Sequence, residues 1–342
     1  MIRASSPAAL VVVAALLWTC ASTCGAQQTA QVDQIVSEYA FKTLLHHDGR
    51  KSLEEFRGSP VLVHWWGPGS QTCLAVSVPH VIDMHRKHAK DGLVCILVEW
   101  QKMPPGDLPG FLLREFPKSR CFATTETPFR IEGGGPDQVP FTAVLGVDGT
   151  LLGYGVTDFV VTQCDQALVA ELKKTKSGWG RSPDAIKARA LMHGKAKYAE
   201  AGAVLKAAEK RGVPPEVRDD FDGARRELET KLAVGKRAVD DLMKEGRYVD
   251  ARRAALAFQT SVKGDAELEK QAVELVAKLA EPTAAAELKV DEALQKLLDR
   301  VGVAPRNEIV SALEDLAKKN DGGKVAVRAK ACAAGLTATT KK

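Results

Sequence analysis

One short stretch gathers most of the residue types that do redox or nucleophilic chemistry. Trp65-Trp66-Gly67-Pro68-Gly69-Ser70-Gln71-Thr72-Cys73 follows an apolar run, and its hydroxyl and thiol stand three positions apart at the entry to a helix-forming segment. The amino end of a helix carries partial positive charge, so a thiol in the leading position is held as a thiolate and attacks at neutral pH. Here the leading position is Ser70, whose hydroxyl gains no comparable advantage, and no general base adjoins it in the sequence.

Other thiols and imidazoles widen the choice. Beyond residue 26 the chain carries Cys73, Cys95, Cys121, Cys164 and Cys332, an odd set, so in an oxidising compartment at least one is free or joined to another molecule. Spacing fixes no connectivity: Cys121 and Cys164 are both open as disulfide partners for Cys73, and Cys95, inside an apolar run, reads as core. His85 and His88 share a helix face at a spacing that permits metal ligation but more simply marks a solvated face, so no metal site is expected. His46 and His47 adjoin an Asp48-Gly49 turn with no ligand set around them and receive no role. Gly133-Gly134-Gly135 lacks the Gly-Lys-Ser/Thr ending and the following helix of a phosphate loop, and no cofactor is expected.

The elements that must hold these residues are readable from periodicity. Residues 60–66 predict a buried strand, then come a Gly/Pro turn, an amphipathic helix to about residue 89 and a second strand over 93–100, together a βαβ unit. A short helix through Phe111-Leu112-Leu113 follows, then a hairpin of strands 141–147 and 151–156 turning at Asp148-Gly149, then a helix over 158–174 with Val161, Leu168 and Leu172 on its inner face. Residues 177–182 read as a linker. Ser182-Pro183 then offers a helix cap, and beyond it only helical patterns survive, with stripes such as Leu268, Ala272, Leu275 and Leu279. Tyr198-Ala199-Glu200-Ala201 and Tyr248-Val249-Asp250-Ala251 open two similar amphipathic helices, which read as repeated helical hairpins or as an irregular bundle.

The 342 residues, 45% hydrophobic and 27% charged, suffice for two separate cores. A net charge of +5 with bases and acids intermixed leaves no nucleic-acid footprint. Residues 1–26 have the parts of a secretory signal: Arg3, an apolar run over 8–18, and small residues up to Ala26. That run is shorter than the roughly 18–20 residues of a spanning helix, so the mature chain is expected without one. An uncleaved anchor, or lipid on Cys20 or Cys24, is the alternative, although neither cysteine follows a lipobox. The expected location is periplasmic or extracellular.

The segment from Phe56 to Cys73, with Val139-Pro140-Phe141-Thr142 and the Asp148-Gly149 hairpin, resembles the TlpA/ResA-like periplasmic branch of the thioredoxin superfamily over residues 35–175. The resemblance implies an α/β thioredoxin-like sandwich, a mixed sheet flanked by helices, over residues 31–176. An all-α helical repeat-like domain, loosely resembling tetratricopeptide hairpins, follows over 183–335. Ser70 matches the first cysteine of the family's Cys-x-x-Cys, Cys73 matches the second, and Pro140 matches the cis-proline that faces the site. Pro79 falls six residues after Cys73, one further than the family register. Trp66, Val139 and Pro140 are the implied peptide contacts, and Cys73, in the resolving position, is implied to sit deeper and to be the poorer nucleophile.

The reading that follows is an exported thioredoxin-fold protein, redox-inactive or at most monothiol, that binds a protein or peptide with the help of its helical half. The alternative is a thiol-disulfide oxidoreductase or peroxiredoxin-like enzyme pairing Cys73 with a distal cysteine such as Cys121.

Overall fold

The computed structural model describes residues 29–131, 138–156 and 163–338. The leader over 1–26 with Cys20 and Cys24, the glycines at 133–135, and Val161 lie outside the described residues.

Strands form over Thr29–Ala30 (β1), Val61–Trp66 (β2), Val94–Glu99 (β3), Phe122–Thr124 (β4), Arg130–Ile131 (β5), Phe141–Leu145 (β6) and Leu151–Gly155 (β7). The main sheet has the order β4-β3-β2-β6-β7, and β1 pairs with β5 apart from it. β2, β3 and β4 run parallel, while β6 is antiparallel to β2 and β7 to β6. The central strands are unbroken apolar runs because both faces are covered. Val61, Val63 and Trp65 of β2 face a core completed by Phe41, Phe56 and Phe129. Leu62 and Trp66 face the other, built from helices α1 (Val78–His88), α2 (Leu108–Glu115) and α3 (Cys164–Ser177). Trp65 pairs with Phe141 and Trp66 with Glu99, so the sheet register sets the turn after β2 beside Pro140.

One element was not expected. β4, at the sheet edge, spans three residues, too short to display a period. The last helix of this half is described over Cys164–Ser177, and its expected start at 158 lies outside the described residues.

The remainder is helical: α4 (Pro183–Arg189), α5 (Tyr198–Arg211), α6 (Arg218–Lys244), α7 (Tyr248–Ser261), α8 (Ala266–Ala280), α9 (Pro282–Leu298), α10 (Arg306–Lys319) and α11 (Lys324–Thr337). Ser182 caps α4 by accepting a hydrogen bond from the Ala185 N–H. The segments opened by Tyr198 and Tyr248 are both 14-residue helices, α5 and α7, on either side of the long α6. α6 links two cores, with Leu228 in one and Val239 and Leu242 in the other. Among the described residues no helix is long and apolar enough to cross a membrane.

The short connection at 177–182 suggests two bodies on a tether, but the halves meet over a broad front. α2 crosses α11 where Gly110 and Gly335 touch, and a Cβ on Gly335 would come to 2.5 Å from the Gly110 Cα. Only glycine permits that approach. Arg114 seals the crossing by donating to the carbonyl oxygens of Gly335 and Ala338 at 3.1 and 3.0 Å. A second seam joins the loop before β2 to α6, where Arg237 donates to the Glu55 carboxylate and to the Gly49 carbonyl oxygen.

Candidate functional site

β2 delivers the chain to a turn that closes when the Ser70 N–H donates to the Gly67 carbonyl oxygen at 3.1 Å. The Ser70 hydroxyl accepts the Cys73 N–H at 3.3 Å, and its carbonyl oxygen accepts from Leu74, so Ser70 is the helix cap. The Ser70 hydroxyl therefore satisfies a backbone donor. Cys73 is wholly buried, in the same core as Cys95, Cys121 and Cys164.

Residues Cys73–Ser77 form a π-helical turn that leads into α1. A π turn accommodates one extra residue within a helix, which accounts for the six-residue spacing from Cys73 to Pro79.

Beneath the turn lies a group that sequence reasoning passed over. His64 is fully buried, with Nδ1 2.8 Å from the Thr142 hydroxyl on β6 and Nε2 3.1 Å from the Ser77 hydroxyl in the π turn. Burial, helped by nearby His80, pushes its pKa down to about 3, so the ring is neutral and ties β2, β6 and the π turn together. The signal was a polar side chain inside an otherwise apolar strand. Nε2 of His80 is buried with no hydrogen-bond partner among the described residues.

A second clamp comes from the end of β3. Burial raises the pKa of Glu99 against the N–H groups of Met103 and Gln101, which donate to its carboxylate at 2.8 and 2.6 Å. These bonds shape the loop so that the Gln101 amide oxygen accepts the Gly69 N–H at 2.7 Å. Side-chain atoms of Gln101 also occupy the space a Cβ on Gly67 would need.

The structure corrects several expected site residues. Trp66 is fully buried against Phe111 and Phe116, so its ring offers no surface to a peptide and belongs to the core. Val139 is half-buried and Pro140 buried, joined by a cis peptide bond, and both stand at the start of β6 beside the turn. Cys121 and Cys164 are not bonded to Cys73: all five cysteines are free, and the Cys121 thiol instead contacts that of Cys95. Burial raises the pKa of Cys95 and takes that of Cys164 to about 12, which keeps both as inert thiols. Among the described residues no three His, Cys, Asp or Glu side chains converge to hold a metal, and His85 instead lines the groove between the halves.

His46 and His47 also act where no role was read. His47 is buried, with Nε2 2.8 Å from both carboxylate oxygens of Glu245 at the end of α6, and it pins the two halves together. His46 meets the Cys121 carbonyl oxygen through Nδ1 at 2.9 Å. Above this seam the halves enclose a groove of about 2490 Å³, reached at one end by Pro68, Gly69 and Leu74 of the Ser70 turn.

A mixed sheet with this order, a capped helix after its central strand and a cis-proline opposite define a thioredoxin-like α/β domain, here joined to an all-α half. Among solved structures, a Chlorobium tepidum protein assigned as the thiol:disulfide interchange protein DsbE is 18% identical, covers 42% of this chain and 99% of its own length, and gives a TM-score of 0.33. A thiol:disulfide interchange protein from Bacteroides sp. is 14% identical over 42% of this chain and 91% of its own, with a TM-score of 0.30. The thioredoxin domain of a Bacteroides vulgatus thiol-disulfide oxidoreductase is 12% identical over 40% and 97%, with a TM-score of 0.31. No protein-family model and no curated protein matches the sequence.

Proposed function

We propose that this chain is an exported, redox-silent thioredoxin-fold protein that binds a protein or peptide segment, with the helical half forming one wall of the binding surface. The observation that carries this reading is the Ser70 hydroxyl on the Cys73 N–H at 3.3 Å, with the Cys73 thiol fully buried behind it. Disulfide exchange requires an accessible thiolate at the attacking position, and a capping serine cannot supply one. Export is supported by the signal-like segment 1–26. The surface left for binding is the half-buried Val139 edge beside the turn, continuing into the groove between the halves.

The decisive assay is insulin disulfide reduction by the mature chain, with alkylation mapping of its thiols under native conditions. The expected result is no turnover and no rapid labelling of Cys73. Turnover that disappears in Cys73→Ala overturns the reading and favours thiol-disulfide exchange, the activity for which the structural neighbours are named. In that alternative Cys121 must leave its contact with Cys95 to resolve a Cys73 disulfide.

A further inference from the structure

The groove between the halves is distinguished by charge as well as size. Nine lysine and arginine side chains line it against six carboxylates, an excess of three positive charges in a chain whose net charge is +5. Most of these cations have carboxylate partners, as Arg247 has Asp250 at 2.8 Å. Lys231, on α6, does not: among the described residues no carboxylate reaches ion-pair distance, and its ammonium donates only to the Glu55 carbonyl oxygen at 3.0 Å.

Beside it stands Arg50, whose guanidinium lies over the rings of Phe56 and Phe122, 5.0 and 5.6 Å from their centroids. Among the described residues Asp48 is its single ion-pair partner, through Nε at 2.9 Å and an NH₂ group at 2.6 Å. Asp48 is thus committed to Arg50, and the carboxylates nearest Lys231 stand beyond ion-pair distance. Tyr198 lines the same recess, while half-buried Leu113, Ala254 and Leu298 line the groove elsewhere.

We propose that this recess receives a carboxylate of an acidic peptide segment lying along the groove, with Lys231 and Arg50 as its cationic contacts. The inference rests on the peptide-binding reading above and adds the chemistry of the partner. A groove of about 2490 Å³ exceeds the roughly 300–1,000 Å³ of small-molecule pockets. Its mixture of apolar and cationic lining suits a segment that alternates apolar and acidic residues. The carboxylates already in the lining disfavour a polyphosphate.

Lys231 supplies an independent readout. Burial and the Arg50 charge push its pKa down to about 7, against the opposing pull of Asp48 and Glu55 from the facing loop and Glu227 on its own helix. Neutral His193 also lies within its field. An incoming carboxylate restores the ammonium, so binding near neutral pH takes up a proton.

The test uses the full mature chain and two fluorescein-labelled peptides, one alternating Glu with Leu and the other Gln with Leu, read by anisotropy at low salt. The Glu peptide is expected to bind about tenfold tighter, with an advantage that shrinks as salt rises. Lys231→Met abolishes that advantage, and Lys318→Met, on an exposed position of α10 away from the groove, retains it. Calorimetry in two buffers of different ionisation heat shows proton uptake for the wild type and none for Lys231→Met. Equal binding of both peptides overturns the acidic-partner inference and leaves the peptide-binding reading standing. Full displacement of the Glu peptide by inorganic phosphate at low millimolar concentration overturns it in favour of a small-anion site. Binding of neither peptide removes both.

Discussion

The Ser70 turn and the groove between the halves adjoin each other, and they differ in how their polar groups are satisfied. At the turn the Ser70 hydroxyl holds the Cys73 N–H, both nitrogens of His64 meet hydroxyls, and the Gly69 N–H is taken by Gln101. In the groove Lys231 has a backbone carbonyl in place of a counterion. The Ser70 hydroxyl is spent on helix stability. The unsatisfied charge lies instead where two domains meet, and unsatisfied charge is what a ligand can complete.

The largest expected effect comes from breaking the groove while sparing the turn. Gly335→Leu forces a side chain against the Gly110 backbone, and overpacking of this kind costs about 3 kcal/mol. Thermal melts should show the loss, and limited proteolysis should newly cut at 177–182. An unchanged melt would mean that the halves do not depend on this crossing.

The converse change breaks the turn and spares the groove. His64→Gln disrupts a buried network and should cost about 1–3 kcal/mol in urea unfolding. The same residue sets a pH dependence. With a folded pKa near 3 against an unfolded value of 6.5, the unfolded chain binds the extra proton between these limits. Stability therefore falls as pH drops from 6.5 toward 3, and the variant should lose part of that slope. A wild-type stability flat across this window would contradict the buried neutral ring.

Ser70 separates the two roles of one position. Ser70→Ala removes the cap and should lower stability by about 1 kcal/mol. Ser70→Cys should keep the fold and gain a rapidly alkylated thiol, since the helix terminus that would activate it is intact. Failure of that thiol to react faster than Cys73 would show that the turn, and not the missing sulfur alone, forbids the chemistry.

The smallest effect belongs to the seam. Burial opposes ionisation of Glu245, but His47, Lys51 and Arg247 outweigh it and hold its pKa near 2, below the ordinary 4.5. Its contribution is present above pH 4.5 and is lost as pH falls through about 2. Because the carboxylate is 39% exposed, Glu245→Gln should cost under about 1 kcal/mol at neutral pH. A urea titration of both proteins at pH 7 and pH 3 checks the sign.

Much of the amino-terminal half was legible because its cues are local: an apolar run, a Gly/Pro turn, an amphipathic helix and the Asp148-Gly149 hairpin each announce themselves within a few residues. The Ser70 turn at a helix entry was legible for the same reason. What escaped were pairings across long sequence separations. His64 acquires its role from Thr142, 78 residues away, and His47 from Glu245, 198 residues away. Trp66 carries the right residue type for a binding surface, yet Phe111 and Phe116 close over it from an element whose packing no local pattern specifies. The π turn was visible only as a one-residue excess before Pro79, an arithmetic signal without a direction.

The crossing of α2 and α11 also dictates an order of events during synthesis. Arg114 bonds a residue 221 positions later, on α11, which is synthesised after the whole thioredoxin-like half. The thioredoxin-like half can collapse early, but until α11 arrives the α2 surface around Gly110 and Leu113 stays open. The chain therefore passes through a state in which its thioredoxin-like half presents an open face, and it is α11, on docking, that ends that exposure.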